Sequence, residues 1–343
     1  MDMFLGTTGK VSSHSTSIAC MIFGFLRERF YPAAAHVAIA CMVLVMVAAN
    51  ARAQSFDDKH AGTQKAVVSL PMYEVSDSMK RADDIFWSRL KVMLASQGVD
   101  APPSLVRTSG ELADQWRDEH LLLSQTCGYP YTHTLMQKGV KIVGTLVYTT
   151  NDGLPPGEYR SVIIVKVGTP YKNLIDLKGK KAGVNDMGSN SGMNAFRAAV
   201  ASSFPESELK HGIFASVTTT GGHMNSVRMV ADGRIDVAAI DSVSYDLIKR
   251  DYPEIAAKTR VLAETATSPG LPMITSSRTD DATIAKMRTA IKDVVSRPGD
   301  TDLRWALNEM KVKDFVVIDA QTYHKRIYQL EDLATDKGYP TLK

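Results

Sequence analysis

Short apolar runs alternate along most of the chain with longer segments in which apolar residues recur at helical spacing. The runs predict strands of four to six residues at 67–70, 121–124, 142–147, 161–165, 181–184, 215–218 and 237–240. The helical stripes lie at 79–93, 194–201, 224–231, 243–250, 284–294 and 323–333. Because the strands are short, apolar and separated by helices, the pattern predicts an α/β fold whose buried strands are mostly parallel.

Two segments rich in proline and glycine divide this alternation into parts. Residues 151–157 read NDGLPPG and residues 268–272 read SPGLP, and both compositions are typical of irregular chain. A complete set of strands and helices lies between them. Without its leader the chain has about 290 residues, which is long enough for two hydrophobic cores. We therefore predict two lobes, with residues 54–157 and 267–343 in lobe 1 and the inserted residues 158–266 in lobe 2.

The first 53 residues have the pattern of a cleavable signal peptide. Arg27 and Arg29 precede an apolar run at 33–49, and residues 51–53 (ARA) supply the small residues that signal peptidase recognises. The apolar run is shorter than the roughly 20 residues that a membrane-spanning helix needs. We therefore expect an exported protein whose mature chain begins at Gln54.

Charge and cysteine content narrow the classes of function and site. The full chain has 40 Lys and Arg against 37 Asp and Glu, and without the leader the counts are 36 and 35. A nearly neutral body argues against nucleic acid as a partner, because nucleic-acid binding needs clustered basic residues. Of the three cysteines only Cys127 lies outside the leader, so the mature chain cannot form an internal disulfide. The histidines are scattered, and we predict neither a metal site nor a cofactor.

Polar residues follow three of the predicted strands at the points where helices begin. They are Ser189, Asn190 and Ser191, then His223 after two glycines, and finally Asp241. In open α/β sheets ligands bind where parallel strands end, and the first N–H groups of a helix can hold an anion. Each residue also has a purely structural interpretation, because serine and aspartate are common helix caps. Their convergence on one sheet edge favours a binding site for a small anion.

Two tyrosines complete the predicted site from the other lobe. Tyr73 and Tyr129 both follow predicted strands, and a tyrosine offers a rigid apolar face with one hydroxyl. Packing in the core is an equally good interpretation of either residue. Enzyme signatures are weak, since the stretch 188–192 (GSNSG) places Asn190 where a nucleophilic serine would stand. We therefore predict a protein that binds its ligand without converting it.

Five stretches of the chain, in this order, resemble a known family. They are Y-R-S at 159–161, D-L-K-G-K-K at 176–181, the loop 186–192, G-G-H at 221–223 and the stretch 233–241. Together they resemble the periplasmic phosphate/phosphonate-type substrate-binding proteins of ABC transporters. The resemblance implies a two-lobed type 2 periplasmic-binding-protein clamshell, with a hinge, that closes on a small oxyanion in the cleft between its lobes. Two positions depart from the family pattern: Asn190 replaces the middle hydroxyl of S-T-S, and Gly222 replaces the serine of G-S-H.

The resemblance also implies roles for the residues of the cleft. Ser189 and Ser191, with the helix N–H groups, would hold the anionic head, and His223 would donate to it. Asp241 would meet a polar or amino group on the ligand. On this basis the protein would be a monomeric periplasmic receptor that delivers a phosphate- or phosphonate-like anion to an inner-membrane ABC permease and its ATPase. An exported sensory protein that uses the same cleft for signalling stays open as the alternative.

Overall fold

The computed structural model describes residues 66–107 and 110–343, so the predicted leader and its cleavage site lie outside the described residues. Sheet 1 contains β1 (Val67–Val68), β2 (Leu121–Gln125), β3 (Lys141–Tyr148), β11 (Pro272–Thr275) and β12 (Val312–Val316), in the order β1-β2-β11-β3-β12. Sheet 2 contains β5 (Ser161–Lys166), β6 (Lys181–Val184), β7 (Ser216–Thr219), β8 (Val237–Asp241) and β9 (Thr259–Glu264), in the order β7-β6-β8-β5-β9. Each sheet is the centre of one lobe.

Helices pack on both sheets. Lobe 1 carries α1 (Asp77–Ser96), α2 (Leu112–Trp116), α8 (Asp281–Ser296) and α9 (Thr301–Glu309), with a continuous helical segment at 128–138. Lobe 2 carries α3 (Ala195–Ser203), α4 (Glu206–Leu209), α5 (His223–Asp232) and α7 (Pro253–Ala256). Two more helices, α6 (Ser242–Asp251) and α10 (Ala320–Asp336), contribute to the cores of both lobes. In the described part of the chain no helix is both long and apolar enough to cross a membrane.

Helix α1 shows how the sequence pattern produces the packing. Ser76 caps the helix, since its hydroxyl accepts the N–H of Met79 at 3.3 Å. The predicted stripe then buries Met79, Phe86 and Leu90 completely in the core of lobe 1. Burying each of these side chains contributes about 1.5–3 kcal/mol. The apolar period therefore fixes which face of α1 meets sheet 1.

The strand directions differ from the prediction of mostly parallel strands. β11 runs antiparallel to both β2 and β3, and β12 runs antiparallel to β3. In the other sheet β5 runs antiparallel to its neighbours β8 and β9. The reason is the position of the crossings: β5 and β11 start beside the cleft and run away from it, whereas β6 and β8 run toward it. Each lobe is therefore a mixed sheet.

The sequence pattern also missed several elements, among them the strands β9, β11 and β12 and the helices α2 and α9. β9 is an edge strand in sheet 2, and its side chains are only partly covered, with Val261 43% exposed. Such a strand has no continuous apolar run. α9 has only nine residues, so its buried residues make too short a stripe to be recognised.

The predicted crossing segments meet in a short antiparallel pair. β4 (Glu158–Tyr159) pairs with β10 (Ser268–Pro269), and the N–H of Gly270 donates to the carbonyl of Gly157 at 2.7 Å. Gly157 has a φ of +80°, and a Cβ there would lie 2.6 Å from Val316. Both facts require glycine at this position. The two strands lie where we expect the hinge between the lobes, and we call them the hinge strands.

The end of the chain, predicted as part of lobe 1, makes a third connection between the lobes. Helix α10 starts in lobe 1, where the hydroxyl of Tyr323 donates to Gly270 at 2.7 Å. Ala334, Tyr339 and Leu342 are instead buried in the core of lobe 2. A helix of 17 residues is about 25 Å long, which is sufficient to reach from one core to the other.

Candidate functional site

The predicted anion loop lies between β6 and α3, and its backbone is arranged around a wide π-helical turn, Asn190–Asn194. Ser189 caps this turn, since its Oγ accepts the N–H of Gly192 at 3.0 Å. The Oγ atoms of Ser189 and Ser191 are 3.3 Å apart. A Cβ at Gly192 would lie 1.8 Å from Oδ1 of Asn185, so the loop needs glycine there. The turn thus brings two hydroxyls to the start of a helix, where N–H groups favour an anion.

His223 joins this pair of serines from the neighbouring helix. It is the first residue of α5, and its Nε2 lies 3.0 Å from Oγ of Ser191. Burial lowers the pKa of His223 from its ordinary 6.5 to about 4, so the ring is neutral at pH 7. Its Nδ1 is shielded from solvent and has no hydrogen-bond partner. With the proton on Nε2, the ring donates to Ser191 and leaves the serine O–H available to a ligand.

Asp241 and Tyr73 face each other across the cleft. Asp241 is the last residue of β8 and caps α6, accepting the N–H of Ser244 at 3.0 Å. The hydroxyl of Tyr73, from lobe 1, donates to the other carboxylate oxygen at 3.1 Å. Burial raises the pKa of Asp241 from 3.8 to about 6, and burial beside Asp241 also raises the pKa of Tyr73. A carboxyl with this pKa changes its charge near neutral pH.

Further hydrogen bonds hold the segment 73–76 of lobe 1 against α6. The hydroxyl of Ser76 donates to Asp251 at 2.6 Å, and the hydroxyl of Tyr252 donates to the carbonyl of Val75 at 3.0 Å. Asp241 and Asp251 are at opposite ends of α6. The segment 73–76 of lobe 1 is therefore bound at both ends of helix α6.

These groups share one cavity of about 720 Å³ between the lobes. Five of the seven predicted site residues line it, namely Tyr73, Ser189, Ser191, His223 and Asp241. The structure thus brings together residues that are more than 160 positions apart in the chain, as the Tyr73 to Asp241 hydrogen bond shows. Their contact with a ligand remains a prediction. Among residues 66–107 and 110–343, no group of three or more His, Cys, Asp or Glu side chains is placed to hold a metal ion.

Asn190, also predicted as a ligand contact, is not among the residues that line the cavity. Its side chain is fully buried and points to the hinge: Nδ2 donates to Tyr159 at 3.0 Å and to Ser268 at 2.9 Å. Its Oδ1 accepts Nδ2 of Asn194 at 3.1 Å, and its backbone N–H donates to Sγ of Cys127. The middle position of the loop is thus occupied by a residue that ties the loop to both hinge strands.

Tyr129, the other predicted tyrosine, is also not among the residues that line the cavity. It lies in the helical segment that follows β2, and this segment turns the ring toward α10. There its hydroxyl donates to Glu331 at 3.2 Å, and its ring stacks on His133 with centroids 3.8 Å apart. A residue that follows a strand is therefore poorly predicted to face the cleft when a helical turn begins directly after that strand.

Most of the residues that line the cavity were not selected by sequence reasoning, among them Trp116, Cys127, Asn185 and Ser244. Asn185 directly follows β6, so the same argument from strand ends would have found it. Ser244 lies one turn after Asp241 and had the same signal. Trp116 belongs to a helix of five residues, too short to show a periodic pattern. No local signal places it beside the anion loop.

Comparison with known proteins identifies the family. The sequence model of the family described as "ABC transporter, phosphonate, periplasmic substrate-binding protein" matches residues 70–323, which is most of the chain. The chain belongs to this family. Its members are the periplasmic substrate-binding components of ABC transporters, so the predicted class of function is confirmed. No curated protein matches the chain in sequence.

Solved structures share the fold at low sequence identity. A binding protein component of an ABC phosphonate transporter from Pseudomonas aeruginosa is 17% identical, with a TM-score of 0.61 over 80% of this chain and 88% of that chain. A protein from Prochlorococcus marinus in complex with methylphosphonate is 14% identical, with a TM-score of 0.61 over 80% and 98%. A Xanthomonas citri protein bound to ATP is 14% identical, with a TM-score of 0.58 over 80% and 98%. These similarities confirm the two-lobed periplasmic-binding-protein fold.

Proposed function

We propose that the cleft binds a phosphonate by its anionic head and that the protein delivers it, chemically unchanged, to its permease. The observation that carries the proposal is the meeting of Ser189, Ser191 and His223 at a helix start inside the cavity between the lobes. Hydroxyls and helix N–H groups donate to an oxyanion without adding charge. The Prochlorococcus marinus protein of the same fold was solved with methylphosphonate, which supports this class of ligand.

Asp241 is assigned to the part of the ligand next to the head. When ionised, its carboxylate accepts from a polar or amino group, and Tyr73 keeps it in position through the hydroxyl at 3.1 Å. When protonated, below a pKa of about 6, it donates instead. Asp241 therefore lets the cleft distinguish ligands by the group that follows the phosphorus.

The cellular part of the proposal follows from the family and from the leader. The protein is exported, loses residues 1–53 and acts in the periplasm as a monomer beside an inner-membrane permease and its ATPase. Intact-mass measurement of periplasmic material tests the start at Gln54. Uptake of labelled methylphosphonate by cells with and without the protein tests the transport role, and equal uptake would instead favour a sensory role.

The binding site is tested by calorimetric titration of the mature chain with methylphosphonate, phosphate and sulfate. Ser191→Ala should weaken methylphosphonate binding by about 10- to 150-fold, which is the loss of a charge-assisted hydrogen bond; His223→Gln removes the ring that orients the Ser191 hydroxyl and should weaken binding by a smaller factor. Ser202→Ala is the matched control, because Ser202 lies on α3 outside the cavity and bonds only to Ala198. Unchanged affinity in both site variants, or no binding of any of the three anions, would contradict the proposal.

A further inference from the structure

The cavity is larger than a phosphonate head requires. Its volume of about 720 Å³ is in the range, roughly 300–1,000 Å³, of pockets that enclose drug-sized ligands. Ser189, Ser191 and His223 line it from lobe 2, beside two helix starts. Lobe 1 contributes a different set of lining residues.

Apolar side chains that pack in the core of lobe 1 line part of the cavity. Leu112 and Trp116 both line it, and they lie four residues apart on α2, so they share one face of that helix. Trp116 is 8% exposed, and its indole N–H donates to the carbonyl of Gln125 at 3.1 Å. Met72 and Leu112 pack against the same buried cluster as Trp116. We call Met72, Leu112 and Trp116 the apolar wall.

The charges around the cavity restrict what can lie against this wall. Four carboxyl groups line the cavity, those of Glu74, Glu111, Asp186 and Asp241. No lysine or arginine is among the described residues that line it. Arg107 pairs with Glu74 at 2.5 Å but is not a lining residue itself. A second anionic group on the ligand would therefore meet four carboxyl groups, of which, within the described part of the chain, only that of Glu74 is paired with a cation.

We propose that the natural ligand is an alkyl- or arylphosphonate whose substituent is larger than methyl, carries no negative charge and packs against the apolar wall. This inference rests on the proposed function, since the wall matters only when the head is held at the helix starts. The substituent displaces water from Met72, Leu112 and Trp116, and each buried methylene strengthens binding by the hydrophobic effect. The acidic lining excludes phosphonates that also bear a carboxylate.

The test is a calorimetric series of methyl-, ethyl-, propyl-, butyl- and benzylphosphonate. Each buried methylene should lower the dissociation constant about fourfold, so butylphosphonate should bind about 60-fold more tightly than methylphosphonate. Phosphonoacetate, close in size to propylphosphonate, should bind at least about tenfold more weakly than propylphosphonate. Equal affinities across the alkyl series, with methylphosphonate bound, would overturn this inference alone. No binding by any member would overturn the proposed function itself.

A pair of variants separates the wall from general stability. Leu112→Ala should weaken butyl- and benzylphosphonate by about tenfold while leaving methylphosphonate unchanged. Leu333→Ala is the matched control, because Leu333 is 38% exposed on α10 and does not line the cavity. Since Leu112 is only partly buried, the variant should still fold. A uniform loss for all ligands, or the same effect from Leu333→Ala, would show that the wall does not contact the substituent.

Discussion

Replacing Asn190 by alanine separates a structural role for this residue from a ligand contact. The side chain donates to Tyr159 and Ser268 and accepts from Asn194, at 2.9–3.1 Å, and none of it is exposed. In Asn190→Ala the amide of Asn194 keeps its other acceptor, the carbonyl of Ile327. The hydroxyls of Tyr159 and Ser268 lose this donor at the hinge.

The magnitude follows from these two groups. Removing the partner of a buried polar group costs about 1–3 kcal/mol, so the variant should lose roughly 3 kcal/mol of unfolding free energy. For a chain of this size about 2 °C of melting temperature corresponds to each kcal/mol, which predicts a fall of about 6 °C or more. Asn225→Ala is a suitable control, because Asn225 is exposed and makes a single side-chain bond to Thr220.

The assay is a melting curve beside a calorimetric titration with methylphosphonate. Because Asn190 does not line the cavity, the affinity of the folded variant should stay within about threefold of the wild type. Destabilisation with retained affinity is the expected result. A variant that melts like the wild type but no longer binds would refute the structural role and restore Asn190 as a ligand contact.

Three further predictions concern the residues of the cleft. Because the pKa of His223 is lowered to about 4, this residue does not reduce the free energy of unfolding above pH 6.5 but reduces it as the pH falls. Because the pKa of Asp241 is raised to about 6, this residue does not reduce the free energy of unfolding below pH 3.8 but reduces it as the pH rises through 6. When the pH is lowered from 7 to 5, the unfolding free energy of His223→Gln, measured by melting, should therefore rise by about 2 kcal/mol relative to that of the wild type. The unfolding free energy of Asp241→Asn should fall by about 1 kcal/mol relative to the wild type, and changes of the opposite sign would refute the assignment. Gly222→Ser should fold normally, because Gly222 has an extended backbone (φ of 168°) and a Cβ there would meet nothing within 4 Å. The new serine hydroxyl should tighten methylphosphonate binding about three- to tenfold in calorimetry, and weaker binding would contradict this prediction. Gly192→Ala should lower both the melting temperature and the affinity for methylphosphonate, because the alanine Cβ would lie 1.8 Å from Oδ1 of Asn185. A melting temperature and an affinity equal to those of the wild type would show that the loop has room for a side chain at this position.

Much of the fold and part of the site can be predicted from the sequence because their signals are local. Strands β5, β6 and β8 are apolar on both faces, so continuous apolar runs reveal them. Ser189, Ser191 and Asp241 follow such strands, and the ends of strands meet at one sheet edge. The anion loop and the carboxylate of the cleft are therefore accessible to sequence reasoning.

The remaining features depend on contacts that no local pattern encodes. Asn190 has the same position relative to β6 as its two serine neighbours, and only the hinge partners Tyr159 and Ser268 decide where its side chain points. The stripe on α10 shows which face is buried but not that its two ends enter different cores. Trp116 reaches the cavity through a helix of a single turn, which has no period to detect.

The hydrogen bonds between segment 73–76 and α6 affect the rate at which the receptor fills. Tyr73, Ser76 and Tyr252 join the lobes beside the cavity in this structure, so the lobes separate only after these bonds break. If ligand entry requires this separation, an internal opening step limits binding, and the observed association rate should level off at high ligand concentration. The same bonds re-form around the captured molecule and lengthen its residence time, so a receptor built in this way suits a nutrient that is scarce and arrives slowly.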